Sequence, residues 1–325
     1  MKTPMKFLLA TILAILTSTS GTRAQLKYPA ETKNAALRYW TAFAEMQDPL
    51  ADIATQGLIE KMVASGTAWS ETTLGSILDT NAEAIRTMQK ATKLPECDWG
   101  LDYSRGSSAQ FTLFLRARAL AGLNTLEGMR RMAKGDSQGA VNTWLAGIHF
   151  SQDVARGGPL IFTLVAMRMM LPNLRALNEG ISKGQLSEAQ KKEVYAAVSA
   201  QPEDGLDWRG AWGLEDATGE QFLEELRTST NPGAGYEEMG MPVPKQGIPP
   251  TMQEIQGYRE YMLAAQAALR EPPAKAKALL DGLEPKRHTF GEVEQNLIPN
   301  PQGINAARIE LIRARTELMQ ALSSR

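Results

Sequence analysis

Leu94-Pro95-Glu96-Cys97-Asp98-Trp99-Gly100-Leu101-Asp102-Tyr103-Ser104-Arg105-Gly106 holds the only cysteine of the chain, and three helix-length segments follow it with little between them. The first runs over 108–134 and closes on Gly135-Asp136; the second runs over 137–156 and is ended by Gly157-Gly158. The third opens at Pro159, a favoured first-turn residue, and continues as Leu160-Ile161-Phe162-Thr163-Leu164-Val165-Ala166-Met167-Arg168-Met169-Met170-Leu171. That run is apolar nearly all round, which marks a central helix. At about twelve residues, with Arg168 inside and Pro172 expected to kink it, it is too short to span a bilayer. Consecutive helices on short turns pack antiparallel, so this block alone points to helical hairpins.

The flanking segments give the same answer. Asn34 is a good cap for a helix over 34–46, with Leu37, Trp40, Phe43 and Ala44 as its apolar stripe. Asp48-Pro49 starts a helix over 50–64, and a third runs over 70–93 until Pro95 stops it. Beyond the central block, Ser187 caps 188–200, and further helices cover 204–227, 252–270, 274–283 and 304–322. The stretch 228–250, with its prolines and glycines, reads as one long loop, and 284–303 reads as irregular. No run of alternating β-branched residues occurs. The fold class is all-α, about ten helices in antiparallel hairpins, stacked in the manner of tetratricopeptide or α-solenoid proteins.

The chain begins with Lys2 and Lys6, an apolar run over 7–16 and a small-x-small end at Ala24, the pattern of a cleaved secretory leader. Ten apolar residues span about 15 Å as a helix, half a bilayer's hydrocarbon, too little for an anchor. The expectation is a signal peptide over 1–24 and a single helical domain over 25–325, periplasmic or extracellular. Loss of the leader takes three basic residues and no acid, moving the balance from 35 against 36 to 32 against 36. No basic excess points to nucleic acid or anionic membrane. Cys97 has no partner for a disulfide within the chain and reads first as a buried thiol.

Candidate chemistry gathers in the central segment. On a helical wheel Arg118 falls opposite Arg116, beside Phe114, Gly122 and Met129, and Arg168 sits among Leu164, Val165 and Leu171. Both therefore read as inward arginines, and a buried cation needs an acid. Asp98 and Asp102 are the expected partners. His149 and Asp153, four apart on the polar face of 137–156, read as a surface pair, too few ligands for a metal. No nucleophile elbow, phosphate loop, dinucleotide fingerprint or paired-histidine zinc motif is present, and no cofactor is expected. Asp98, Trp99, Asp102, Tyr103 and Arg105 remain as ligand-binding candidates, since acids beside aromatics suit sugars and paired carboxylates suit glycoside chemistry.

Cys97-Asp98-Trp99-Gly100-Leu101-Asp102-Tyr103-Ser104-Arg105-Gly106 resembles a signature of large families of uncharacterised exported bacterial all-helical proteins. The likeness continues through Leu115, Arg118, Leu120, Ala121 and Leu123, then Gly135-Asp136 with Ala140, and Pro159-Leu160-Ile161 with Leu164-Val165. Asn34-Ala35-Ala36 with Tyr39 and Phe43 is similar to the start of their mature domains. The resemblance implies helical hairpins and no activity. Two features depart from it: Thr112-Leu113-Phe114 stands where relatives carry Leu-Pro-His, and the chain ends at Arg325, where many relatives continue into a tyrosine-proline segment. The resulting expectation is a non-enzymatic exported protein that binds a protein, peptide or envelope component through a groove between hairpins. The alternative is a hydrolase or lyase acting on an envelope or extracellular polymer, using the acids of the 97–106 loop under a lid at 228–250.

Overall fold

The computed structural model describes residues 31–47, 57, 59, 61–63, 69–102, 113–238, 243 and 249–323, so the expected leader and the residues Tyr103 and Arg105 lie outside the described residues. The chain divides into Met1–Lys33 and one compact unit, Asn34–Arg325, which carries every named helix. Among the described residues there are thirteen named helices and no strand, so the all-α expectation holds. They are α1 (Ala35–Glu45), α2 (Glu71–Thr80), α3 (Ala82–Ala91), α4 (Leu113–Ala133), α5 (Ser137–Ala155), α6 (Leu160–Ser182) and α7 (Glu188–Ser199). The second half comprises α8 (Trp208–Thr228), α9 (Pro232–Glu238), α10 (Met252–Ala268), α11 (Pro273–Arg287), α12 (Glu292–Leu297) and α13 (Pro301–Ser323).

Local chemistry sets most boundaries. Asn34, Asp136 and Asp207 accept backbone N–H bonds at the starts of α1, α5 and α8. Ser187 with Gln190, and Thr251 with Glu254, form full capping boxes on α7 and α10. Several expected boundaries shift. The helix over 70–93 breaks at Asn81, whose side-chain amide donates to the Ile77 carbonyl at 2.9 Å. The expected loop over 228–250 contains α9, whose Tyr236 packs against Phe222 and Leu226 of α8. The helix expected to end at 283 continues to Arg287 through Pro285, and the irregular stretch after it contains α12.

The α6 expectation also needs correction. It runs unbroken through Pro172 for 23 residues, long and apolar enough to cross a membrane, so its length does not exclude a membrane span. Its placement accounts for its apolarity another way, since 61% of its most apolar window is buried inside the protein. Helices α4, α5 and α6 pack closely in sequence order, and α1 and α3 lie against α4 and α5. Where the three central helices cross, Asn124 donates to the Thr143 carbonyl at 2.9 Å, and Thr125 bonds Asn173 at 3.2 Å. Gly147 permits this approach: a Cβ there would lie 2.6 Å from Asn173 Oδ1 and 2.8 Å from Asn124 Nδ2. Gly147→Ala is therefore expected to cost about 1–3 kcal/mol, read as a lowered midpoint in urea unfolding.

The second half does not extend the stack linearly. Helix α8 packs on α6, α10 on α8, α11 on α10, and α13 on both α11 and α6. The path therefore closes on itself, whereas in a solenoid each repeat touches only its neighbours. The closure is fastened by Arg308 of α13, which is 4% exposed. It donates to both carboxylate oxygens of Asp204, at 2.8 and 3.1 Å, and to the Glu271 carbonyl at 3.1 Å.

Candidate functional site

The central segment leaves α3 and runs beside the start of α1. Asn34 holds the two together: its amide donates to the Asp98 carbonyl at 2.8 Å and its oxygen accepts from Asp98 N–H at 2.9 Å. Asp98 turns its carboxylate back onto Gly100 N–H at 2.9 Å, and Gly100 takes φ +61°, which a side chain would disfavour. These bonds present Cys97 and Trp99 to the interior while Asp98 and Asp102 stay exposed. Trp99 is stacked on Tyr39 at 5.5 Å and on Phe43 at 6.2 Å, with Trp40 edge-on at 6.0 Å. This corrects part of the expected face of α1: Phe43 is buried as expected, but its buried neighbours are Ala36 and Tyr39, while Leu37 and Trp40 are exposed.

Trp99 Nε1 donates to the Asp153 carbonyl at 2.7 Å, and Cys97 Sγ lies 3.8 Å from the same oxygen. Asp153 stands in the last turn of α5, where its carbonyl also accepts from the Arg156 N–H at 3.3 Å, so the indole is a second donor to that helix end. The Asp153 side chain is itself buried, contrary to the expected surface pair with His149. Its Oδ2 accepts from the Tyr39 hydroxyl at 2.6 Å and lies 3.6 Å from His149 Nε2; its Oδ1 lies 3.3 Å from an Arg156 guanidinium nitrogen. Burial raises the Asp153 pKa, against the opposing pull of Tyr39, His149 and Arg156. Burial and the nearby Asp153 carboxylate also push the Cys97 thiol up to about 12. A thiol held that high is protonated at neutral pH and is not a nucleophile. The cluster is a latch joining α1, the 97–102 segment and α5.

The two inward arginines are placed differently from expectation. Arg118 and Arg168 are both exposed, and Arg168 faces Glu310 of α13 at 3.6 Å rather than a buried Asp98 or Asp102. Their faces are nevertheless the apolar ones, because both line a cleft of about 660 Å³ between α4 and α6. Leu164, Val165 and Leu171 form its floor, Ile59 and Leu115 flank it, and Arg175 adds a third guanidinium. Among the described residues no acidic side chain lines it. A smaller recess of about 270 Å³ adjoins it, sharing Val63, Thr125, Pro172 and Arg175 and reaching Glu179, Gly180 and Lys183. Asp98, Trp99 and Asp102 line neither space.

A second acidic cluster escaped the sequence reading. Glu215 of α8 accepts from Leu160 N–H at 3.3 Å, replacing the side-chain cap that Pro159 cannot supply to α6. Next to it, burial pushes Asp216 up to about 6, Glu220 adding to the effect and Arg259 opposing it. Such an acid is penalised in the folded state once ionised, so its contribution to stability falls as pH rises from about 4 to 6 and stays low above. Asp216→Asn is expected to raise the melting temperature at pH 7 by a few degrees and to leave it nearly unchanged below pH 4. An equal gain at both pH values would show that the carboxylate charge is not responsible. Among the described residues no three His, Cys, Asp or Glu side chains gather to hold a metal ion. No protein-family model, curated protein or solved structure matches this chain.

Proposed function

We propose that the protein is exported, as are the helical families its 97–106 segment resembles, and that it holds a ligand or partner component in the cleft between α4 and α6 rather than carrying out chemistry. The observation that carries this reading is the cleft itself: an apolar floor of Leu164, Val165 and Leu171 beside Arg118, Arg168 and Arg175. Its size falls in the range of about 300–1,000 Å³ typical of ligand pockets, and apolar walls with a few fixed polar groups are their usual lining. The hydrolase alternative finds less support. Asp98 spends its carboxylate on a local turn, the only thiol is held protonated, and the described acids of the segment line neither cleft nor recess.

The test is a titration with an uncharged, environment-sensitive apolar dye such as Nile red. Saturable binding near one dye per protein is expected, together with roughly tenfold weaker binding by Val165→Trp, which fills the cleft. Circular dichroism and thermal melting check that this variant remains folded. Equal binding by both proteins, or none by the wild type, removes the cleft as a binding site.

A further inference from the structure

We infer that the cleft between α4 and α6 accepts a long-chain carboxylate, one alkyl tail laid along α6 with its anionic head among Arg118, Arg168 and Arg175. The inference rests on the cleft reading and names the ligand class for it. Three guanidiniums around an apolar floor, with no acid among the described lining residues, suit a molecule that is apolar along its length and negative at one end. The rim already seats a carboxylate. Glu310 of α13 lies 2.9 Å from Arg175 and 3.6 Å from Arg168, so the two arginines converge on one acid from the same side of α6. One acid shared by Arg168 and Arg175 leaves that pair net positive, and Arg118 borders the same space from α4.

Shape favours one tail. The stretch of α6 that lines the cleft, Leu164 to Arg175, extends about 16 Å at 1.5 Å per residue, apolar but for Arg168 within it and Arg175 at its end. A single acyl tail fills about half of the ~30 Å hydrocarbon core of a bilayer, which is a comparable length. A smaller adjoining recess shares Pro172 and Arg175 and reaches Gly180, with Met129, Met132 and Trp144 among its apolar lining and Glu179 and Lys183 among its charged lining. Leu115 is 67% exposed at the cleft, one helical turn from Arg118, so an apolar side chain stands uncovered where a tail would cover it.

The experiment compares palmitate with hexadecanol, the same chain without the charge, by displacement of Nile red and by native mass spectrometry. Both are used below the concentrations at which they aggregate or separate from water. The expected result is one palmitate per protein, held about tenfold or more tightly than hexadecanol. Arg168→Gln/Arg175→Gln is expected to abolish that preference, with circular dichroism checking that the variant is folded. Arg118→Gln, which leaves Glu310 its partners, is expected to weaken it. Equal binding of the two lipids, or displacement by neither while the dye still binds, overturns the carboxylate and leaves the cleft standing. Preference for lysophosphatidate over palmitate by tenfold or more overturns it in favour of a phosphate head. Failure of the dye itself to bind in a Val165→Trp-sensitive way removes the cleft and this ligand together.

Discussion

Trp99→Ala is expected to lower the free energy of unfolding by about 3–5 kcal/mol, the usual range for truncating a buried tryptophan. Two losses combine. The indole is 6% exposed and lies against Tyr39 and Phe43, so its removal opens a void between α1 and the central segment. Its N–H also leaves, and the Asp153 carbonyl at the end of α5 loses its 2.7 Å donor. Trp99→Phe separates the two, since it keeps much of the packing and lacks the donor; a cost nearer 1–2 kcal/mol is expected for it. Denaturant unfolding of both variants measures the difference. A Trp99→Ala cost below about 1 kcal/mol would mean that the segment is not docked on α5.

Asp204→Ala is expected to cost about 3 kcal/mol, because it leaves the Arg308 guanidinium buried with only the Glu271 carbonyl. The value sits at the low end of the range for broken buried pairs, since the Asp204 side chain keeps 29% of its exposure. In a domain of this size the loss reads as roughly 2–4 °C of melting temperature per kcal/mol. Asp204→Ala/Arg308→Met is the informative control. Removing both charges takes away the stranded cation, so the double variant is expected to be more stable than Asp204→Ala alone. If the two were equally unstable, the site would be sensitive to packing and not to charge.

Much of the fold was legible because helix signals are local. The caps at Asn34, Ser187 and Thr251, and the first-turn proline at Pro159, act within one turn and gave starts within a residue or two. Helix ends set by packing were less legible: the segment expected to end near 171 runs on through Pro172 to Ser182, and the one expected to end at 283 runs on through Pro285 to Arg287. The site divided in the same way. The wheel singled out the faces of Arg118 and Arg168, since an arginine among apolar residues is visible at helical spacing, but it read them as buried and both are exposed. It could not tell a face covered by another helix from one that borders an open cleft, because that depends on which helices meet across it. Asp153 was missed for the related reason that its partner Tyr39 lies 114 residues away. A sharper local signal was present: an acid in the last turn of a helix, with His149 four residues before it and Arg156 three after.

The return of α13 onto α6 also bears on how the chain reaches its native state. A linear array can fold as it is made, each unit resting on the one before it. Here α6 receives one of its main neighbours from α13, whose Glu310 lies 135 residues after its partner Arg175, so that face of α6 stays uncovered until α13 has been made. Contacts this distant in sequence also make the final closure slow relative to hairpin formation. A nascent chain therefore has a long interval as an open, holdable species with an exposed apolar helix. Truncation before 301 would leave that interval without an end, yielding a soluble fragment only while a chaperone covers α6.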